Sequence, residues 1–238
     1  MIGRPAGRCL AGRGLAPSRL AGRRLYLCTP DRPDLERFVE DCVAGGVDVV
    51  QLRDKSLDAR TQVARGRRLQ AVCAGLGVPF VLNDRPDLAL DAGADGVHVG
   101  QDDASPSLAR RILGPDAIVG LSTHSPGELD EAVLEPVDYL SAGPVVPTPT
   151  KPGRPGTGVG YPALAAARAP VPVFVTGGVS PETVPGLVAA GVGHFVVVRW
   201  LTEAGDPKAA ARRLRTVIDE ALADAGARAG TPTSTHPG

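Results

Sequence analysis

Between Leu25 and Leu222, short runs rich in Val, Leu and Ile alternate with longer stretches in which Ala and Leu recur among Arg, Asp and Glu. The runs predict strands over 25–29, 48–52, 80–82, 96–99, 118–120, 139–141, 173–176 and 194–198. The intervening stretches predict amphipathic helices over 34–44, 58–76, 86–92, 105–113, 126–134, 161–167, 181–190 and 207–223. Strict alternation of strand and helix implies a parallel sheet, because consecutive parallel strands need crossover connections. Short, fully buried strands with small gaps between units favour a closed barrel over an open doubly wound sheet. Ala44-Gly45-Gly46-Val47, Ala92-Gly93-Ala94-Asp95 and Ala190-Gly191-Val192-Gly193 each place Gly where a helix stops and a strand begins,. The expected fold is a single α/β domain, a (β/α)8 TIM barrel over 24–224, with its active site at the C-terminal ends of the strands.

The ends of the chain differ from this body. Residues 1–23 and Arg24 carry Arg4, Arg8, Arg13, Arg19, Arg23 and Arg24 with no acid, which suits either a disordered extension or a transit peptide,. Residues 225–238, rich in Gly, Thr, Pro and Ser, read as a disordered tail,. The chain has 26 basic and 26 acidic side chains, and this balance argues against nucleic acid as the partner,. No apolar run approaches the roughly 18 residues of a membrane span. Cys9, Cys28, Cys42 and Cys73 form no C-x-x-C pair, so free thiols in a reducing, cytoplasmic setting are expected,.

In a barrel, residues just past each strand converge on one mouth. Strand 2 ends in Gln51-Leu52-Arg53-Asp54-Lys55, and alternation puts Gln51, Arg53 and Lys55 on one side. An Arg fork and a Lys point charge beside an amide suit a phosphate-rich anion. Strand 3 ends in Asn83-Asp84-Arg85 and strand 4 in His98-Val99-Gly100-Gln101-Asp102-Asp103. Asp84 with Asp102 or Asp103 could share Mg²⁺, which takes one or two carboxylates and completes its shell with phosphates and water. Helix capping is the competing role for these acids. After strand 5, Ser122 reads as a hydrogen-bonding residue rather than a nucleophile, because no sharp G-x-S-x-G elbow surrounds it,. His124 is a ligand contact or a helix-start residue. The loop after strand 6 carries Thr148, Thr150 and Lys151 ahead of a Gly- and Pro-rich stretch, a pattern suited to an anion contact under a lid,. Gly177-Gly178 after strand 7 and Val198-Arg199 after strand 8 stand where barrels commonly bind phosphate,.

Taken in order, Q-L-R-D-K, N-D-R-P-D-L-A, G-V-H-V-G-Q-D-D, G-L-S-T-H, G-P-V-V-P-T-P-T-K and G-G-V resemble the thiamine-phosphate synthase family over 24–222. The resemblance implies a transferase that joins a pyrimidine diphosphate to a thiazole phosphate, with Mg²⁺ as cofactor and pyrophosphate as leaving group. It assigns Gln51, Arg53, Lys55, Asn83, Ser122 and Lys151 to the pyrimidine diphosphate, with Arg53, Lys55, Ser122 and Lys151 serving the chemistry. It assigns Asp84 and Asp103 to the metal, and Thr148, Thr150, Gly178, Val198 and Arg199 to the thiazole phosphate. Relatives often carry a small residue where this chain has Arg199, which leaves that side chain's role open. The partners implied are small molecules, and a homodimer is compatible with the sequence. A thiazole tautomerase-like paralogue and a non-catalytic binder of thiamine precursors are the alternatives, and neither needs the full set of cations and acids.

Overall fold

The structure, a computed structural model, describes residues 19–147 and 156–229. Eight parallel strands close a barrel in chain order, with β1 hydrogen-bonded to both β2 and β8. They are β1 Leu25–Thr29, β2 Val49–Leu52, β3 Phe80–Asn83, β4 Gly96–Val99, β5 Ile118–Thr123, β6 Tyr139–Ala142, β7 Val173–Val175 and β8 His194–Val197. Between them run α1 Leu35–Ala44, α2 Ala59–Leu76, α3 Pro86–Ala92, α4 Pro106–Leu113, α5 Pro126–Ala132, α6 Gly160–Arg168 and α7 Val184–Ala189. The short α8 Arg199–Thr202 and the long α9 Pro207–Ala229 follow the last strand. The expected TIM barrel is therefore the observed one.

Strand alternation sorts the core into two bodies. Leu25, Leu27, Val50, Leu52, Leu82, Val97 and Val99 face outward and pack with apolar helix residues such as Phe38, Leu69 and Leu214. Tyr26, Val49, Val81, Ile118, Tyr139 and Phe174 face inward and fill the barrel as a separate cluster. Aromatic bulk inside so narrow a barrel needs space opposite. The register pairs Gly120 with Tyr139, and a Cβ on Gly120 would lie 2.1 Å from the Tyr139 ring.

The opposite, N-terminal end is held by repeated carboxylates. Asp48 accepts from the Arg24 and Leu25 amides, Asp95 from the Phe80 amide, and Asp138 from the Val119 amide. Each of these acids also pairs with an arginine: Arg215, Arg19 and Arg110 respectively. Helix starts use the short polar residues just before them. The side chains of Asp58, Ser105 and Ser125 accept from the Thr61, Leu108 and Glu128 amides,.

Both expected domain boundaries shift. Residues 19–23 belong to the barrel: Leu20 is 1% exposed and caps the inner cluster, while Arg23 donates to the Asp48 and Gly77 carbonyls. An Arg-rich stretch reads as extension by composition, but here its guanidiniums satisfy carbonyls and a carboxylate at the barrel's base. At the other end α9 runs through 225–229, residues read from composition as tail, because Ala and Arg there prolong a good helix,. α7 begins at Val184 rather than near 181, and α8 is an unanticipated turn of helix. At the first Ala-Gly-Gly turn, the left-handed residue is Gly46 (φ 113°) and not Gly45, which stays right-handed at φ −88°.

Candidate functional site at the barrel mouth

A cavity of about 1160 Å³ opens at the C-terminal ends of the strands. Gln51, Arg53, Lys55, Asn83, Asp84, Asp103, Ser122, Gly178, Val198 and Arg199 all line it, as do Asp102 and His124. The first cause is alternation. Gln51 is inward-facing in β2, so Arg53 and Lys55 continue the same row past the strand end, whereas Asp54 turns aside to accept from Ser56 and the Asp31 amide. Asn83 and Ser122 are inward-facing in β3 and β5 and are 8% and 6% exposed.

Asp84 has φ 65°, a left-handed conformation that residues with a Cβ seldom adopt,. Its amide donates to the His98 carbonyl at 2.7 Å, which holds the turn, and its carboxylate meets Lys55 Nζ at 2.9 Å. Asp103 comes against Asp84, and its Oδ2 accepts from the Gly100 amide at 2.8 Å. Of the adjacent pair Asp102 and Asp103, it is therefore Asp103 that stands beside Asp84. Burial, then contact with the Asp84 carboxyl, raises the Asp103 pKa against the pull of the Gly100 amide and Lys55. Two carboxyls pressed together next to one ammonium are short of positive charge. Among the described residues no cluster of three or more His, Cys, Asp or Glu side chains forms a metal cage. A carboxylate pair opening on a roomy cavity suits Mg²⁺, whose remaining ligands come from substrate phosphate and water.

Across the mouth, the loops after β6 and β7 interlock. Gly177 and Gly178 take φ 91° and 79°, and a Cβ on either would come within 2.6 Å of Pro144 or Val146. The segment leading to 148 is tied back by the Thr157 and Gly158 amides, which donate to the Pro144 and Val145 carbonyls. Thr148, Thr150 and Lys151, with residues 152–155 of the expected lid, lie outside the described residues. Arg199 is exposed at the rim as the first residue of α8, while Trp200 donates from Nε1 to the Ala210 carbonyl and packs against α9. His124 acts at a helix start: its amide and Nδ1 both meet Glu128 Oε2, at 2.7 and 2.8 Å.

Residues 25–201 match the sequence pattern that defines the thiamine monophosphate synthase family, TMP-TENI. The chain is 43% identical to the thiamine-phosphate synthase of Mycobacterium bovis over 218 residues, covering 86% of this chain and 98% of that one. It is 45% identical to the thiamine-phosphate synthase of Mycobacterium sp. (strain JLS) over 212 residues, covering 84% and 94%. The fold superposes on the thiamine phosphate pyrophosphorylase of Pyrococcus furiosus with a TM-score of 0.77 and 29% identity, covering 87% and 98%. The chain belongs to the thiamine monophosphate synthase family.

As a member of that family it is a transferase of thiamine biosynthesis. Among the described residues no helix is long and apolar enough to cross a membrane. Cys42 and Cys73 are buried outside the cavity, and burial pushes both thiols up to about 12,.

Sequence reasoning passed over the floor of this transferase's cavity. Tyr26, His98 and Tyr139 line it below Gln51 and Ser122. Tyr139 is fully buried, stacks on His98 at 5.5 Å between ring centroids, and meets Phe174 edge-on. The signal was present in the inward positions 26, 98 and 139, which share the parity of 28, 96 and 141 on their strands. It was masked because attention to strand ends leaves out the layer beneath them.

Proposed function

We propose that the enzyme couples 4-amino-2-methyl-5-hydroxymethylpyrimidine diphosphate to thiazole phosphate, in the cytoplasm, releasing pyrophosphate and forming thiamine phosphate. The observation that carries this reading is the arrangement of Asp84, Asp103 and Lys55, with Arg53, around one side of a cavity that also holds Ser122 and Gln51. Cations gathered there would bind a diphosphate and stabilise the charge it takes on as it leaves. Mg²⁺, held by Asp84 and Asp103, would add charge neutralisation at the same phosphates.

The bond that breaks joins the pyrimidine methylene carbon to a diphosphate oxygen, and its electron pair departs with the diphosphate. The bond that forms joins the same carbon to the thiazole nitrogen, which contributes its own lone pair. The aminopyrimidine ring is electron-rich enough to carry the intervening cation, so a dissociative course needs no protein nucleophile. Arg53 and Lys55 stabilise the leaving group, with Lys151 assigned to the same task by resemblance. Gln51, Asn83 and Ser122 orient the ring. Gly178, Val198 and Arg199 frame the opposite wall, where the thiazole phosphate would sit with Thr148 and Thr150. Catalysis then rests on positioning and electrostatics.

The test mixes purified protein with both substrates, with and without Mg²⁺, and quantifies thiamine phosphate and pyrophosphate. Equimolar products that depend on Mg²⁺ are expected. Absence of thiamine phosphate under all conditions would refute the reading.

A further inference from the structure

Two of the three ring-orienting residues, Gln51 and Ser122, are joined by an unbroken line of hydrogen bonds through five strands. Cys28 Sγ donates to Gln51 Oε1 at 2.9 Å, and Gln51 Nε2 donates to Tyr26 Oη at 3.2 Å. Tyr26 Oη lies 2.9 Å from Tyr139 Oη, which lies 2.9 Å from His98 Nδ1. His98 Nε2 is 2.9 Å from Ser122 Oγ. Tyr26 and Tyr139 are 1% and 0% exposed, so their protons have only each other and this line to satisfy them.

The direction of every bond follows from one end. The Cys28 thiol occupies the amide oxygen of Gln51, so the amide nitrogen faces Tyr26 and Tyr26 Oη is an acceptor there. The Tyr26 proton must then go to Tyr139, since the reverse order would leave a buried O–H with no acceptor,. Tyr139, having accepted, donates its own proton to His98 Nδ1. A neutral imidazole has one N–H, so His98 carries its proton on Nε2 and donates it to Ser122 Oγ,. Ser122 has then accepted within the protein, and its hydroxyl proton turns to the cavity. Burial of both phenols keeps them well above their ordinary pKa, so neither loses the proton this order requires.

We propose that Tyr26, Tyr139 and His98 are positioning residues that lock His98 in the Nε2–H tautomer and so present the Ser122 hydroxyl to the substrate as a donor. The group it selects is an acceptor atom of the bound heterocycle, a ring nitrogen bearing a lone pair. An exocyclic amine offered at the same point would meet donor with donor. The inference rests on the coupling reading for the identity of the heterocycle, while the tautomer itself is independent of it.

Two measurements separate these. Nitrogen-15 spectra of the histidine rings in ligand-free protein, assigned by the signals missing from His98→Asn, should show His98 as Nε2–H. An Nδ1–H tautomer or a doubly protonated ring would overturn the proposal whatever the protein catalyses. Tyr139→Phe keeps the ring that packs on Tyr26 and Phe174 and removes the hydroxyl that accepts from Tyr26 and donates to Nδ1. It should give mixed His98 tautomers and raise KM for the pyrimidine diphosphate about tenfold, with KM for thiazole phosphate unchanged. A variant that keeps the Nε2–H form and both KM values refutes the relay, and equal changes in both KM values would assign Tyr139 a merely structural role. Failure of the wild type to form thiamine phosphate would refute the coupling reading and leave the tautomer result standing.

Discussion

His194 ties the stability of the barrel to pH in a direction fixed by its partner. It opens β8 on the N-terminal side, with its ring 5.1 Å from that of Phe174 and its Nε2 3.1 Å from Arg24 Nη1. Arginine only donates, so Nε2 must keep its lone pair and the ring's one proton sits on Nδ1. Protonating Nε2 would break that bond and set a second cation against the guanidinium. Burial first, then the charge of Arg24, lower the pKa from 6.5 to about 4. Because the folded value lies below the unfolded one, the stabilising contribution is complete above pH 6.5. It is lost as pH falls towards about 4, with no further loss below that,. A gap of this size corresponds to about 3 kcal/mol in full and about 2 kcal/mol by pH 5.

The perturbation that isolates this contribution is His194→Gln, whose amide oxygen can still accept from Arg24 but does not titrate. Urea unfolding of both proteins at steps from pH 7 to pH 4.5 gives stability from midpoint and slope. Asp48, whose carboxyl burial pushes upward, titrates in both proteins and cancels in the difference. The wild type's stability relative to the variant should fall by about 2 kcal/mol between pH 7 and pH 5. Parallel curves, or a wild type that gains on the variant as acid is added, would refute the reasoning.

Asp84→Ala should reduce coupling at saturating Mg²⁺ by at least about a hundredfold, as measured by thiamine phosphate release, because it removes one of two abutting carboxylates. Gly120→Ala drives a methyl into the Tyr139 ring. It should cost about 1–3 kcal/mol by urea unfolding and also lower turnover, since Tyr139 belongs to the cavity floor. Leu20→Ala should cost about 2–4 kcal/mol in the same assay, whereas a disordered position would cost nothing. Lys151→Ala should reduce single-turnover rates sharply, and an unchanged rate would remove that residue from leaving-group stabilisation.

The barrel was legible because two periodicities agree over most of the chain. Fully buried strands such as Val173–Val175 read as apolar runs, and α1 and α4 carry polar faces at helical spacing. Where composition had to stand in for periodicity, it failed. Arg19, Arg23 and Arg24 look like a solvated basic leader, yet each is bonded to the barrel's base through a carboxylate or carbonyl. Such long-range partners, 25 to 169 residues away in the chain, leave no local mark. α8 escaped for a related reason: four residues are too few to show a period.

The mouth residues were legible for a different reason than the floor beneath them. Arg53, Lys55, Asp84 and Asp103 are charged side chains at the ends of apolar runs, and charge beside burial asks for an explanation from sequence alone. Tyr26 and Tyr139 ask for none, because an aromatic in a strand is ordinary core. Their hydroxyls acquire meaning only when the barrel closes and β1, 113 residues from β6 in these two side chains, brings one phenol 2.9 Å from the other. His98 sat inside a conspicuous motif and still gave no sign of its role, since its two ring nitrogens face Tyr139 and Ser122 on different strands. A sequence pattern can thus nominate the groups that touch a diphosphate. The protonation order that decides whether Ser122 gives or receives a hydrogen bond is a property of the closed sheet, and it is there that selectivity between heterocycles would be set.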